Sequence, residues 1–487
     1  MNNLKKKTIW GLIWKYAEQL LAQLVSTVVS IILARILEPS HYGEIALVNV
    51  FITICNVFVI TGLGESLIQK KDADELDFST IFYANVFLSV LLYAILFFTA
   101  PLISGFYGDS YPNLTLLVRV MGLRLIVAAV NSVQNAKISR EMSFKKYFWA
   151  TLIGTVTSAV VGIVMALKGY GVWALVAQYL TNTVIDTILL YFIDGWRPIR
   201  AFSMQRLRPL LQYGGKILFT ALINTIYREF RSLIIGKKYS SEDLAYYNKG
   251  STYPKLIVNN LLNAIGSVLF PAFAGVQDDV VLVKRILQKS LKVYTFFVLP
   301  MVSGMAVVAS PMIELLLTKK WLPAVPYLQL ICIVYAILPL SESNMQCMTA
   351  LGYSTKFLRI NLVKKLIAVI VLLSVFQFGV VWIVISQVFS TLIDYFIDAY
   401  FTGKIIGYSL KEQIKDIMPN IIITGIMTIA VMALDYFVAV PIIWLKLFIL
   451  IFFGVIMYCF LSVLSKNDTF FYVIETIKNF KNSKDNN

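Results

Sequence analysis

Few residues in this chain are able to do chemistry, and most of those few stand alone inside long apolar runs. Arg124 and Lys255 each lie about ten residues into a stretch long enough to cross a bilayer, which at ~1.5 Å per residue places them near the midplane. Arg119 precedes Arg124 by five positions and falls on a different helical face, while Arg228, Glu229 and Arg231 lie toward the end of a span, where long side chains reach water. Lys15 and Glu18 are three apart and can pair. An ionisable group in hydrocarbon is costly, so each is either neutralised by a partner or lines the path of something charged.

Cations so placed suit an anionic ligand, which makes Arg124, Lys255, Arg119, Arg228, Arg231 and Lys15 the candidate substrate-binding set. Among the buried acids Asp186, Asp394, Asp398, Glu342 and Glu314, the candidates for a coupling cation, Na+ or H+, are Asp394, Asp186 and Glu342. No other cofactor and no metal is expected. His41 is the sole histidine, and Cys55, Cys332, Cys347 and Cys459 share no ligand or redox spacing. No GxxxxGK[ST] loop is present, so ATP is not expected to drive the chain directly, and no catalytic motif marks an enzyme.

The elements that must position these residues are membrane helices. Of 487 residues 58% are hydrophobic and 14% charged, far from a soluble composition. The net charge of +16 sits in short loops rather than on a soluble face, which argues for orientation in a bilayer and against nucleic acid. A ruler of roughly 20 apolar residues per crossing predicts fourteen spans. The ninth runs from about Val293 to Leu317, the eleventh from about Leu362 to Phe378, and the last two, Ile417 to Val438 and Val440 to Leu464, form a closing pair. With the N-terminus inside, the inner segments hold 29 cations, counting Lys364 and Lys365 as snorkelling at an inner helix end. The outer side holds seven: Arg35, Lys168, Lys237, Lys238, Lys249, Lys319 and Lys320. Pro254 is expected to kink the eighth span.

Asp194 to Lys216 is the longest strongly polar interval, with five cations against one acid, and reads as a cytoplasmic basic hinge. The expected organisation is an N-lobe of spans one to six over 1–195, the hinge over 196–216, a C-lobe of spans seven to twelve over 217–403, and spans thirteen and fourteen with a cytoplasmic tail over 404–487. Matches of Ile31 to Gly43 with Leu233 to Ala245, of Ala100 to Ile103 with Ser310 to Ile313, and of Gly171 with Gly379 keep a period near two hundred residues. At the last offset Asp186 falls on Asp394. Both members of each pair share membrane orientation, so the fold class is all-α and polytopic: two six-helix lobes related by a parallel pseudo-repeat, a cleft between them, and a C-terminal helix pair.

Leu33 to Val48 (LARILEPSHYGEIALV), Gly62 to Lys71 (GLGESLIQKK), the Ala100-Pro-x-Ile103 motif and Ser139 to Tyr147 (SREMSFKKY) resemble polysaccharide flippases of the Wzx type, in the multidrug/oligosaccharidyl-lipid/polysaccharide exporter superfamily. That resemblance covers nearly the whole chain and is strongest over residues 10 to 200. It implies a multi-pass protein of the bacterial cytoplasmic membrane that moves undecaprenyl-diphosphate-linked oligosaccharide outward by alternating access. Membrane lipid and other polysaccharide-assembly proteins would be its partners. A cation-coupled multidrug antiporter of the same superfamily is the alternative, and a membrane glycosyltransferase or polymerase is disfavoured by the short outer loops. The charge alternation makes topology testable: single cysteines at Ser203 and Ser240 in a Cys-free background should label from opposite sides of intact cells, Ser240 from outside. Equal labelling of both by an impermeant reagent would contradict the fourteen-span arrangement.

Overall fold

A computed structural model describes residues 2–70, 72–437 and 440–485. The chain is helical in this order: α1 Asn2–Ile36, α2 Pro39–Gln69, α3 Glu75–Tyr107, α4 Leu114–Glu141, α5 Phe144–Leu167, α6 Val172–Asp194, α7 Met204–Lys238, α8 Ser241–Ala274, α9 Val280–Val307, α10 Ala309–Leu317, a 3-10 turn Lys319–Ala324, α11 Val325–Ala350, α12 Ser354–Val375, α13 Val380–Ile406, α14 Leu410–Phe437, α15 Ile443–Leu464 and α16 Asp468–Asp485. Among the described residues twelve helices are long and apolar enough to cross a membrane. Two more, α7 and α12, have spanning length, at 35 and 22 residues, but carry several cations each.

The expected spans fall on successive helices with one break. The ninth is split: α9 stops at Val307 and α10 begins at Ala309. Pro311 explains this, since it lacks an N–H and its ring crowds the carbonyl four residues back, that of Val307. By contrast α8 runs on through Pro254 as one helix. The expected end of the thirteenth span, Val438, lies outside the described residues.

Two compact units divide the chain, Met1–Ala245 and Tyr246–Asn487. In the first, α2 packs on α4 and α7, α3 on α4, and α5 on α1 and α6. The seventh span, expected to open the C-lobe at 217, therefore belongs with the first unit. In the second, α11 packs on α9 and α13, α12 on α13, and α14 on α9 and α15. Small residues permit the closest approaches, as lipid-embedded helices require. A Cβ on Gly43 of α2 would stand 1.8 Å from the Ser241 carbonyl oxygen.

The basic hinge is tied down to the first unit. Gly195, at φ 71°, ends α6 and turns the chain. Trp196 is then buried with Leu67, Phe78, Ile81, Val133, Ala136, Leu207 and Leu210, and its indole donates to Glu75 at 2.7 Å. The amides of Ile199 and Ser203 donate to Ser79 Oγ and Thr80 Oγ1 at 3.0 and 3.2 Å. Arg206 reaches Asp74 at 3.1 Å and Asp77 at 3.4 Å, and Lys70 reaches Asp77 at 2.6 Å. The same two acids cap α3, Asp74 accepting from the Asp77 amide and Asp77 from the Asp74 amide. Asp194 holds Lys146 and Lys137 of the neighbouring helix ends at 3.0 and 3.7 Å.

The Asp77 backbone N–H, aided by the charge of Arg206, holds the Asp74 carboxyl below its ordinary range. A depressed carboxyl contributes above its unfolded pKa, and that contribution fades as pH falls through the folded value, so the strap should be intact at neutral pH and loosen below about pH 4. Amide exchange at Ile199 and Ser203 reports this. Trp196→Ala, which empties the centre of the cluster, should accelerate both by at least about tenfold, the equivalent of ~1.4 kcal/mol. Unchanged protection would show that the strap does not depend on Trp196.

Candidate functional site

In the first unit a stripe of polar side chains runs between α4 and α6. Arg124 and Asn131, two helical turns apart, share a face of α4, and Tyr179, Thr183 and Asp186 share a face of α6. Arg124 Nε donates to Thr183 Oγ1 at 3.2 Å, one of its terminal nitrogens meets Asn49 Oδ1 of α2 at 3.5 Å, and its guanidinium lies 5.0 Å from the Tyr179 ring centroid. Among the described residues no carboxylate lies within 4 Å of it. Asp186 is served by Asn131 Nδ2 at 2.9 Å and by the Thr151 hydroxyl of α5 at 3.4 Å. Gly154 makes this possible, because a Cβ there would approach the Asp186 amide to 3.3 Å. The stripe thus offers a cation and an acid, each held by neutral groups.

The other expected cations divide. Arg119 is satisfied by the Phe97 carbonyl at 3.2 Å and by its ring at 4.3 Å, a packing role away from Arg124. Lys15 is exposed, 5.5 Å from the Phe144 ring, and lies within electrostatic reach of Glu18, with which it could pair, without a salt bridge between them. Arg228 is exposed and pairs with Glu229 at 3.2 Å, whereas Arg231 is buried, 5.8 Å from the Tyr227 ring, with its Nε unbonded. Lys255 is exposed on α8 and belongs to the second unit.

In that second unit the principal feature is one that sequence reasoning misplaced. Lys364 of α12 is 5% exposed and its ammonium lies 2.6 Å from Asp398 of α13, itself 1% exposed. The Ser341 hydroxyl of α11 donates to the same carboxylate. Glu342 lies within Coulombic reach of Lys364 and of both Asp394 and Asp398, and Asp394 reaches the neighbouring Lys365. Lys364 was expected to snorkel at an inner helix end. The reason it does not is that α12 begins at Ser354, eight residues before the expected start of the span, which puts position 364 mid-helix. Lys249, expected on the outer side, is likewise buried, with its ammonium 5.7 Å from the Trp321 ring centroid. In each half of the expected repeat the sixth-span acid meets the fourth and fifth spans: Asp186 with Asn131 and Thr151, Asp398 with Ser341 and Lys364. By its contacts Asp398, one turn beyond Asp394, is the counterpart of Asp186.

No group of His, Cys, Asp and Glu among the described residues could hold a metal ion. The fold defines a multi-pass membrane protein with ionisable side chains inside its spans. The chain belongs to the polysaccharide biosynthesis protein family, whose family model matches residues 32–326. It is 26% identical over 340 residues to the lipopolysaccharide biosynthesis protein WzxC of Escherichia coli, covering 68% of each chain. It is 25% identical over 307 residues to the succinoglycan biosynthesis transport protein ExoT of Rhizobium meliloti, covering 63% of this chain and 62% of that one. Its fold is similar to that of the lipid II flippase MurJ in an inward closed conformation, with a TM-score of 0.75 at 14% identity over 94% of this chain and 99% of the other.

The Lys364–Asp398 pair allows a direct test of structural against transport roles. Lys364→Met would leave a buried carboxylate without its cation and should cost about 3–5 kcal/mol, whereas the double replacement Lys364→Met with Asp398→Leu removes both charges and should restore most of that loss. Thermal denaturation of the purified variants reads the difference. A single variant as stable as the parent would mean that the pair is not what holds α12 to α13.

Proposed function

We propose that the chain is a flippase of surface polysaccharide biosynthesis, carrying undecaprenyl-diphosphate-linked oligosaccharide from the inner to the outer leaflet of the bacterial cytoplasmic membrane by alternating access. Membership of the polysaccharide biosynthesis family supports it, as do a relative named as a transport protein and a fold shared with a lipid II flippase. Both termini would face the cytoplasm, which the concentration of cations in alternate loops supports. Other polysaccharide-assembly proteins would supply and receive the cargo.

The single observation that carries the reading is the state of Arg124. A guanidinium committed to a carboxylate would be structural, but this half-buried one is held by a hydroxyl, an amide and an aromatic face. Its charge stays available to an anion, and a diphosphate accepts the paired N–H donors of a guanidinium well. An exporter of organic cations would be hindered by that same charge. For the coupling ion, Na+ or H+, the carboxylates at hand are Asp186, ligated by neutral groups, and Asp394 and Glu342 near the Lys364–Asp398 pair.

Arg124→Ala should therefore leave membrane abundance near normal, since Thr183 keeps its bond to the Tyr179 carbonyl and no acid is orphaned. Surface polysaccharide should fall by at least about tenfold, and Arg124→Lys should recover only part, because lysine lacks the planar fork. Flipping in purified vesicles should need no ATP. Normal export by Arg124→Ala at normal abundance would refute the assignment.

A further inference from the structure

The end of the first unit where α2 begins and α7 ends holds two buried polar side chains with unsatisfied atoms. Glu44 is 6% exposed with its Oε2 unbonded, and Tyr111, 0% exposed, has an unbonded hydroxyl. They sit at the closest helix contact of the unit. A Cβ on Gly43 would strike the Ser241 carbonyl, and one on Gly236 of α7 would meet Leu47 at 3.1 Å, the Tyr111 hydroxyl at 3.3 Å and Tyr107 at 3.4 Å. Lys237 fastens the end of α7 to the Phe106 carbonyl, and the α7–α8 turn is closed by the reciprocal Ser240 and Asp243 cap.

The charged and titratable groups around Glu44 do not neutralise it. From α2 come Glu38 and His41, from α1 Arg35, from α3 and the loop after it Tyr107, Asp109 and Tyr111, from α7 Lys237 and Lys238, and from the start of α8 Glu242 and Asp243; α6 and α4 begin with apolar residues. Of these Lys237 is committed to Phe106, and the neutral Asn113 side chain is the hydrogen-bonding group that reaches Glu44. Tyr111 lies within electrostatic range of both Glu44 and Asp243, so an ionised Glu44 would set a second negative charge beside the α8 cap. Burial strongly disfavours a carboxylate in that position, with one oxygen lacking any donor, and penalises the neutral acid far less.

We propose that Glu44 and Tyr111 form a proton-binding site that locks the α7–α8 turn onto the start of α2: the turn is docked while Glu44 carries a proton and lifts when the proton leaves to solvent. This goes beyond the flippase reading and does not depend on it. The test places one cysteine at buried Ser241 in full-length protein lacking its native cysteines, in nanodiscs, and measures maleimide labelling at about pH 5 and about pH 8.5, on either side of the range where buried carboxylates exchange protons. Labelling of a cysteine at exposed Ser240 corrects for thiol ionisation. The corrected rate at Ser241 should rise at least about tenfold with pH. Glu44→Gln should hold it slow at both values, Glu44→Asp should keep the dependence, and Gly43→Ala, which forces the contact apart, should make it fast at both. A flat profile in the parent protein overturns the proposal, even if Glu44→Gln does not accumulate, and so does a pH dependence that survives in Glu44→Gln.

Discussion

A charge inside a bilayer has no water to fall back on, and how each buried charge here is satisfied governs what its helix can do. Two solutions coexist. In the second unit Lys364 and Asp398 cancel one another at 2.6 Å, with Ser341 completing the site. Such a pair is expensive to break and is occupied by itself. In the first unit Arg124 and Asp186 stand on the same α4–α6 stripe but are each held by neutral groups. Those groups are held by hydroxyls, amides and an aromatic face rather than by an opposite charge.

The two units therefore solve one packing problem with different chemistry. In each, an acid on the sixth helix of the repeat is gripped from the fourth and fifth, which ties three helices together. Where the grip is ionic, helix positions are fixed by electrostatics as well as by packing; where it is neutral, rearrangement costs a few hydrogen bonds worth ~1 kcal/mol each. The strap over 195–210 adds a further constraint. With Trp196 buried and Arg206 paired, the chain leaving α6 is part of the first unit's structure, and the stretch with the polarity of a flexible linker is anchored instead.

The helices were legible because hydrocarbon thickness sets a length that apolar runs must meet, and the break at Pro311 is visible in retrospect. Arg124 was legible for the same reason: depth along a helix follows from counting. Lys364 was not, because the polar first turns of α12, including Arg359, read as loop and shifted the apparent helix start. The partner of a charge is equally hidden, since Asn49, Thr183 and Tyr179 converge on Arg124 from α2 and α6 with no spacing in sequence to announce it. Nor does chain order reveal that α7 packs with the helices before it. Gly236 of α7 leaves room for the Leu47, Tyr107 and Tyr111 side chains, and Gly43 of α2 lets the Ser241 backbone at the start of α8 come close.

The guanidinium of Arg124 is proposed to recognise an anionic, lipid-borne head group. Native mass spectrometry of the purified protein with undecaprenyl diphosphate and with undecaprenol tests it without requiring the sugar. The diphosphate lipid should be retained and the neutral alcohol should not, and Arg124→Ala should lose the difference. Equal retention of the two lipids, or undiminished diphosphate binding by Arg124→Ala, would contradict it.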